Sequence, residues 1–194
     1  MKTSQILKKA KNYFKELTIV TAGVLIALFI SNYKENSKAR DYHKSSLKTI
    51  QKEVQNNYSN LKIIIEKQTK LVDTINKYSD DKITIGDIIL AKGDGLKASL
   101  LSNSGLEFYK KNQINSIDFE MMSKLINIES IIKLIDAKME KLMDYLYPNL
   151  FVNSEESKKL VVMHMKNLLQ SEIQLRREYE KFLEEYEKNI NDTE

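Results

Sequence analysis

Leu17 to Ile30 reads LTIVTAGVLIALFI, an unbroken apolar run without a charge in a chain in which 30% of residues are charged. A helix that is apolar all round belongs in the core of a large protein or in a bilayer, because it offers no polar face to water. The run is shorter than the ~20 residues that cross a hydrocarbon layer of about 30 Å, so its flanks must complete it. Tyr13, Phe14 and Tyr33 stand at headgroup depth, and Lys15 and Lys34 can snorkel outward. Glu16 lies within a turn of the interface, where a carboxylate costs far less than at the midplane. No small-x-small cleavage pair follows Ile30, where the chain continues SNYKENSK, so the segment reads as an uncleaved anchor over residues 17–33.

These residues also carry a resemblance. Glu16, six residues to Gly23, then VLIAL, Ile30, Asn32, Tyr33 and Glu35 resemble the signature E-x6-G-I-L-I-A-L-x-I-x-N-W-x-E of a family of uncharacterised bacterial single-span membrane proteins. Tyr33 replaces the usual Trp and Lys15 stands where Gly is common. A weaker echo follows at Leu100 to Leu106, LLSNSGL, resembling a family segment in which a helix ends at a Ser-Gly pair. The resemblance implies a location and an architecture and no activity.

The flanks of the anchor set the expected topology. Residues 1–16 form a basic tail with Lys2, Lys8, Lys9, Lys11 and Lys15, in which Ile6, Leu7, Ala10 and Phe14 fall at helical spacing. Such a tail is expected to lie along an anionic leaflet before the chain turns in. Lys34, Lys38, Arg40, Lys44 and Lys48 nearly balance it across the span, so the charge bias alone does not orient the chain. A short tail before a large C-terminal domain fits a signal-anchor, which places the N-terminus in the cytoplasm and the domain outside the cell membrane.

Beyond a polar neck at residues 34–46, a bundle domain is expected over 47–190. Leu47, Ile50, Val54, Asn57, Leu61, Ile64, Gln68, Leu71, Ile75 and Tyr78 alternate steps of three and four, widened by Ile65 and Val72. Asn57 and Gln68 interrupt this seam as register-fixing polar residues, with ligand binding as the other reading. A second seam runs Leu125, Ile128, Ile132, Ile135, Met139, Leu142, Leu146, starting at Ser116 and ending at Pro148. A third, opened by Ser154, Glu155, Glu156 and Ser157, runs Val161, Met165, Leu168, Glu172, Leu175, Tyr179, Phe182, Tyr186, with fraying over 191–194.

Four of the five glycines fall in the insert at 79–116, at Gly86, Gly93, Gly95 and Gly105. Thr84 is expected to cap a short helix through Leu90, and Asp94 another through Leu101 that stops at Ser102-Asn103-Ser104-Gly105. Asp80-Asp81 and Gly93-Asp94-Gly95 lack the D-x-D-x-D-G pattern of a calcium loop and read as turns. The predicted fold is therefore all-α: a transmembrane helix continuing into an antiparallel bundle of three long helices, ordered up-down-up, with a short-helix insert. In that order the apolar turn Tyr147-Pro148-Asn149-Leu150-Phe151 comes back toward the bilayer, near Tyr42. A fragment beginning at Lys44 is expected to fold without the anchor.

The search for chemistry is negative. Without cysteine the chain has no disulfide and no thiolate chemistry, and its net charge of +4 is spread without the dense basic stripe that nucleic-acid binding needs. His43 and His164 have no partners at H-E-x-x-H spacing, and neither a phosphate loop nor a G-x-S-x-G elbow occurs. No catalytic, metal or cofactor residue is assigned. The sequence favours a non-enzymatic, membrane-anchored module that docks a protein partner or a second copy through its helical seams, or organises the envelope. The alternative is a membrane-anchored sensor that binds a small ligand in the bundle.

Overall fold

The computed structural model describes the backbone of residues 2–112 and 119–191 and the side chains of residues 12–110 and 119–186. Among these residues the chain is helical, without strands: α1 (Lys2–Lys77), α2 (Ile85–Asp87) running into a π-helical turn (Ile88–Lys92), α3 (Ser104–Asn112), α4 (Phe119–Asn149) and α5 (Glu155–Asn191). The predicted helix start at Ser116 lies outside the described residues, as do residues 192–194 of the tail and the side chains of Lys2, Ile6, Leu7, Lys8, Lys9, Ala10 and Lys11. The chain divides into two units, residues 1–46 and 47–194.

In the first unit α1 is unbroken from its start, so the expected turn between basic tail and anchor is not formed. Nothing in the run from Lys2 breaks a helix, since it holds neither proline nor a capping glycine. From Asn12 onward this helix contains a window of mean hydropathy 1.8, none of it buried, long and apolar enough to cross a membrane by length and composition. Val20, Val24, Leu25, Ile26, Leu28 and Phe29 are all exposed.

In the second unit the three seams meet. Ile50, Leu61, Leu71 and Ile75 of α1, Leu125, Ile135 and Leu142 of α4, and Val161, Leu168, Leu175 and Phe182 of α5 join one core. Each fully buried aliphatic or aromatic side chain contributes about 1.5–3 kcal/mol relative to exposure, so the seams carry most of the stability. Local signals set the ends. Thr84 Oγ1 accepts from Asp87 N (3.2 Å) and donates to Asp87 Oδ2 (2.7 Å), and Ser154 Oγ accepts from Ser157 N (3.3 Å). Pro148 falls in the last turn of α4, whose helix it ends.

The direction of the helices corrects the expected order. Gln68 meets Glu172 (3.1 Å), Asn57 meets Tyr179 (3.2 Å) and Lys158 meets Tyr78 (3.0 Å), so α5 runs antiparallel to α1. Lys124 pairs with Glu185, Lys138 with Ser171 (2.7 Å), and the rings of Tyr145 and His164 stack at 5.5 Å, so α5 is antiparallel to α4 as well. The bundle part of α1 and α4 therefore run in the same direction, and up-down-up does not hold. Matched helix lengths permit antiparallel neighbours but do not require the chain to reverse at its first long connection; here the insert makes the return.

Half of the described insert, residues 79–112, is not helical. The helix expected from Asp94 to Leu101 is absent, and the Ser102–Gly105 cluster begins a helix, α3, instead of stopping one. At the top, Ile85 N donates to Val152 O (2.9 Å) and Gly86 N to Leu150 O (2.7 Å), tying α2 to the α4–α5 turn. The turn at Tyr147–Phe151 thus stands at the end of the second unit where α1 finishes. Gly93 N closes the π-helical turn on Ile88 O (2.8 Å), and Asp94 and Gly95, both at positive φ (57° and 77°), swing the chain around. The turn reading of Gly93-Asp94-Gly95 is what this backbone shows.

Candidate functional site

After Gly95 the chain descends as an extended strap lying on α1 and α5. From Lys97 to Asn103 side chains alternate strictly between half-buried and exposed, the period of an extended chain. The lengths agree. Lys97 lies opposite Gln68 and Ser102 opposite Asn57. Five extended residues at about 3.3 Å span roughly 16 Å, as do eleven helical residues at 1.5 Å. An extended chain without a neighbouring strand must find other partners for its backbone groups, and helix side chains supply them.

Asn57, buried in the α1 seam, holds the strap by both faces of one residue: Nδ2 donates to Ser102 O (2.7 Å) and Ser102 N donates to Oδ1 (3.1 Å). The same Nδ2 also reaches Tyr179 Oη (3.2 Å) on α5. Burial pushes the Tyr179 phenol up, against the hydrogen bond from Asn57, so it stays neutral. One turn earlier on α1, Glu53 takes the start of α3: its oxygens accept from Ser102 Oγ, from Ser104 N (2.9 Å) and from Gly105 N (3.0 Å). A carboxylate over the first amides of a helix is favoured by the helix dipole. A Cβ built on Gly105 would stand 2.9 Å from Glu53 Oε2 and 3.6 Å from Ile50, so the close approach leaves little room for a side chain.

Higher on the strap, Gln68 Nε2 donates to Lys97 O (2.9 Å) and to Glu172 Oε1 (3.1 Å), while Ser99 Oγ donates to the same Glu172 oxygen (2.9 Å). Gln68 and Glu172 are both 0% exposed. Their remaining oxygens, Gln68 Oε1 and Glu172 Oε2, are buried without a hydrogen-bond partner. Burial pushes the Glu172 carboxyl above the ordinary range, only partly offset by Ser99 and Gln68.

The sequence marks Asn57 and Gln68 as seam interruptions and places Glu172 in the α5 seam; Gln68 meets the Glu172 carboxyl, and Asn57 meets Ser102 and Tyr179 instead. It missed Glu53 and Ser99, which carry no signal because a surface Glu and a loop Ser are ordinary. His164 is stacked on Tyr145 beside a surface groove of about 430 Å³ lined by Lys138, Lys141 and Asn167. His43 lies in the first unit, one residue past Tyr42. A larger groove of about 570 Å³, with Leu134, Lys138, Gln174 and Arg177 on its walls, also opens to solvent. Within the seam itself, the space between Ile50, Asn57, Leu125 and Tyr179 is only about 10 Å³. Comparison of the chain with protein-family models, with curated proteins and with solved structures finds no match.

Proposed function

We propose that the chain is a membrane-anchored helical module, without enzymatic activity, that docks a partner or helps organise the cell envelope. The carrying observation is the exposure of Leu17 to Ile30 on every side of a continuous helix. An apolar surface of this kind is covered by lipid at no loss, whereas water around it is unfavourable along its whole length. The N-terminus is cytoplasmic and the second unit extracytoplasmic in this reading, and the resemblance to single-span bacterial membrane proteins around Glu16, Gly23 and Glu35 agrees with it. The space enclosed by the seam, about 10 Å³, holds at most one water molecule, so a small-ligand sensor has less support than a docking module.

Two measurements test the proposal. Full-length chain should stay with membranes after an alkaline wash, and a fragment from Lys44 should be released; full-length chain in the wash would overturn the anchor. A reporter active only outside the cytoplasm should give signal after Glu194 and none before Lys2, and the opposite pattern would invert the topology.

A further inference from the structure

Besides the packing of Leu96 and Leu101 against the core, polar contacts hold the strap, and among them sits a carboxyl group that forms no ion pair among the described residues. Glu172 is fully buried between α1, α5 and the strap. From α1 it meets the amide of Gln68, and from the strap the hydroxyl of Ser99. The charged groups around it are engaged elsewhere. Lys97, on the strap, turns its ammonium toward Asp94 (3.6 Å). Lys138, on α4, donates to Asn167 O (2.9 Å) and Ser171 Oγ (2.7 Å). Arg176, one turn along α5, makes no ion pair with it among the described residues. The phenol of Tyr179 belongs to the Asn57 contact.

The two unpartnered atoms, Gln68 Oε1 and Glu172 Oε2, are both acceptors and belong to side chains already joined through Gln68 Nε2 and Glu172 Oε1. Reversing the Gln68 amide does not mend this. Its orientation is fixed by Lys97 O, an acceptor that requires the NH₂ group at 2.9 Å. A single proton on Glu172 Oε2 supplies the donor both oxygens lack, one that can be given to Gln68 Oε1 while Glu172 Oε1 keeps accepting from Gln68 Nε2. An ionised Glu172 in the same place would be a buried charge without a counter-ion, which is costly.

The geometry points to Glu172 as a proton-operated latch for the strap: protonated, it pairs with Gln68 and accepts from Ser99, holding residues 97–103 between α1 and α5; ionised, it draws water in and loosens them. The sign follows from linkage. A carboxyl raised in the docked state keeps its proton to higher pH there than when the strap is free, so docking weakens as pH rises above the ordinary carboxylate range and levels off above the raised value. Glu53, at the far end of the strap, accepts from Ser104 N and Gly105 N.

Hydrogen exchange of the full-length chain in micelles, read by mass spectrometry on the peptide spanning 96–104 and corrected for intrinsic rates, tests the latch. Protection of this peptide should fall as pH rises from ~pH 5 to ~pH 8, while α4 peptides stay unchanged. Glu172→Gln presents an NH₂ in place of the acid OH and should stay protected across the range. Protection of the wild-type strap that does not change with pH would overturn the proposal. A Glu172→Gln chain that follows the wild-type profile, or is loose at every pH, would overturn it as well. Should that variant fail to fold, the wild-type profile decides alone: a loss confined to the strap supports the latch, and a flat or global profile rejects it.

Discussion

Lys158 Nζ donates to Tyr78 O (3.0 Å) across the helix pair, and completes its hydrogen bonding on Ser79 O (3.1 Å) and Asp81 O, although Lys158 is only 1% exposed. No carboxylate is involved. A buried ammonium is held by three carbonyl groups at the point where α1 ends, where the helix dipole also favours a cation.

This contact fixes where α5 starts relative to the end of α1. Lys158→Met keeps the apolar stem and removes the donors, leaving three carbonyl oxygens short of a partner. Urea denaturation of the fragment from Lys44 should show a loss of about 2–4 kcal/mol, since the hydrogen bonds are charge-assisted and the orphaned acceptors are covered. A loss within ~0.5 kcal/mol, the range of ordinary surface substitutions, would mean that water replaces the ammonium there without cost.

Asn57 should be the hinge pin of the strap. Asn57→Leu suits the seam but deprives Ser102 N, Ser102 O and Tyr179 Oη of their partner. The expected outcome is a stability loss of about 1–3 kcal/mol, because backbone groups lose a bidentate partner while the new side chain is apolar. Exchange protection should drop in the strap before it drops in α4 or α5. An equal drop throughout would show that the strap and bundle open as one.

The contrast between seam and strap explains what the sequence could disclose. Ile50, Leu125 and Val161 announce their helices because burial of one face imposes a period of three and four on the residues themselves. The strap imposes nothing comparable. Its backbone is what Asn57, Gln68 and Glu53 recognise, and every residue except proline carries the same backbone groups. Asp94 therefore matches a helix cap by residue type, although its positive φ makes it part of a turn. A helix there would leave no extended return path, and that path sets the direction of α4. Asn57 and Gln68 are visible as interruptions, but only the strap lying across them distinguishes a register-fixing residue from one that holds a strap.

The turn between α4 and α5 offers a test in which adjacent apolar residues behave differently. Leu150 packs partly against the core and its carbonyl accepts from Gly86 N, whereas Phe151 is 90% exposed. Phe151→Ser should leave stability within ~0.5 kcal/mol, and Leu150→Ser should lower it by about 1–2 kcal/mol. Gly86→Ala should also destabilise, because its Cβ would stand 3.1 Å from Leu150 O on the backbone. Thermal melts of the three variants would check the ranking. A large loss with Phe151→Ser would mean that this ring is covered in solution by something beyond the chain's own second unit.

Glu129 supplies a pH dependence opposite in sign to that of Glu172. It is a buried carboxylate on α4, bonded by Lys110 (2.5 Å) from α3 and by Lys133 (2.7 Å) from one turn along α4. Hydrogen bonds from Lys110 and then Lys133 hold it below the usual carboxylate range, against the effect of burial. A carboxyl lowered by folding binds fewer protons in the folded chain than in the unfolded one. Its contribution is fully present above the ordinary value of about 4.3 and disappears as pH falls through the lowered one. Glu129→Gln should therefore shift the urea midpoint downward at neutral pH and converge with wild type in acid. Exchange in α3 should respond first, because Lys110 is its tether to α4. A shift that persists undiminished in acid would show that the packing of the side chain, and not its charge, is what Glu129 contributes.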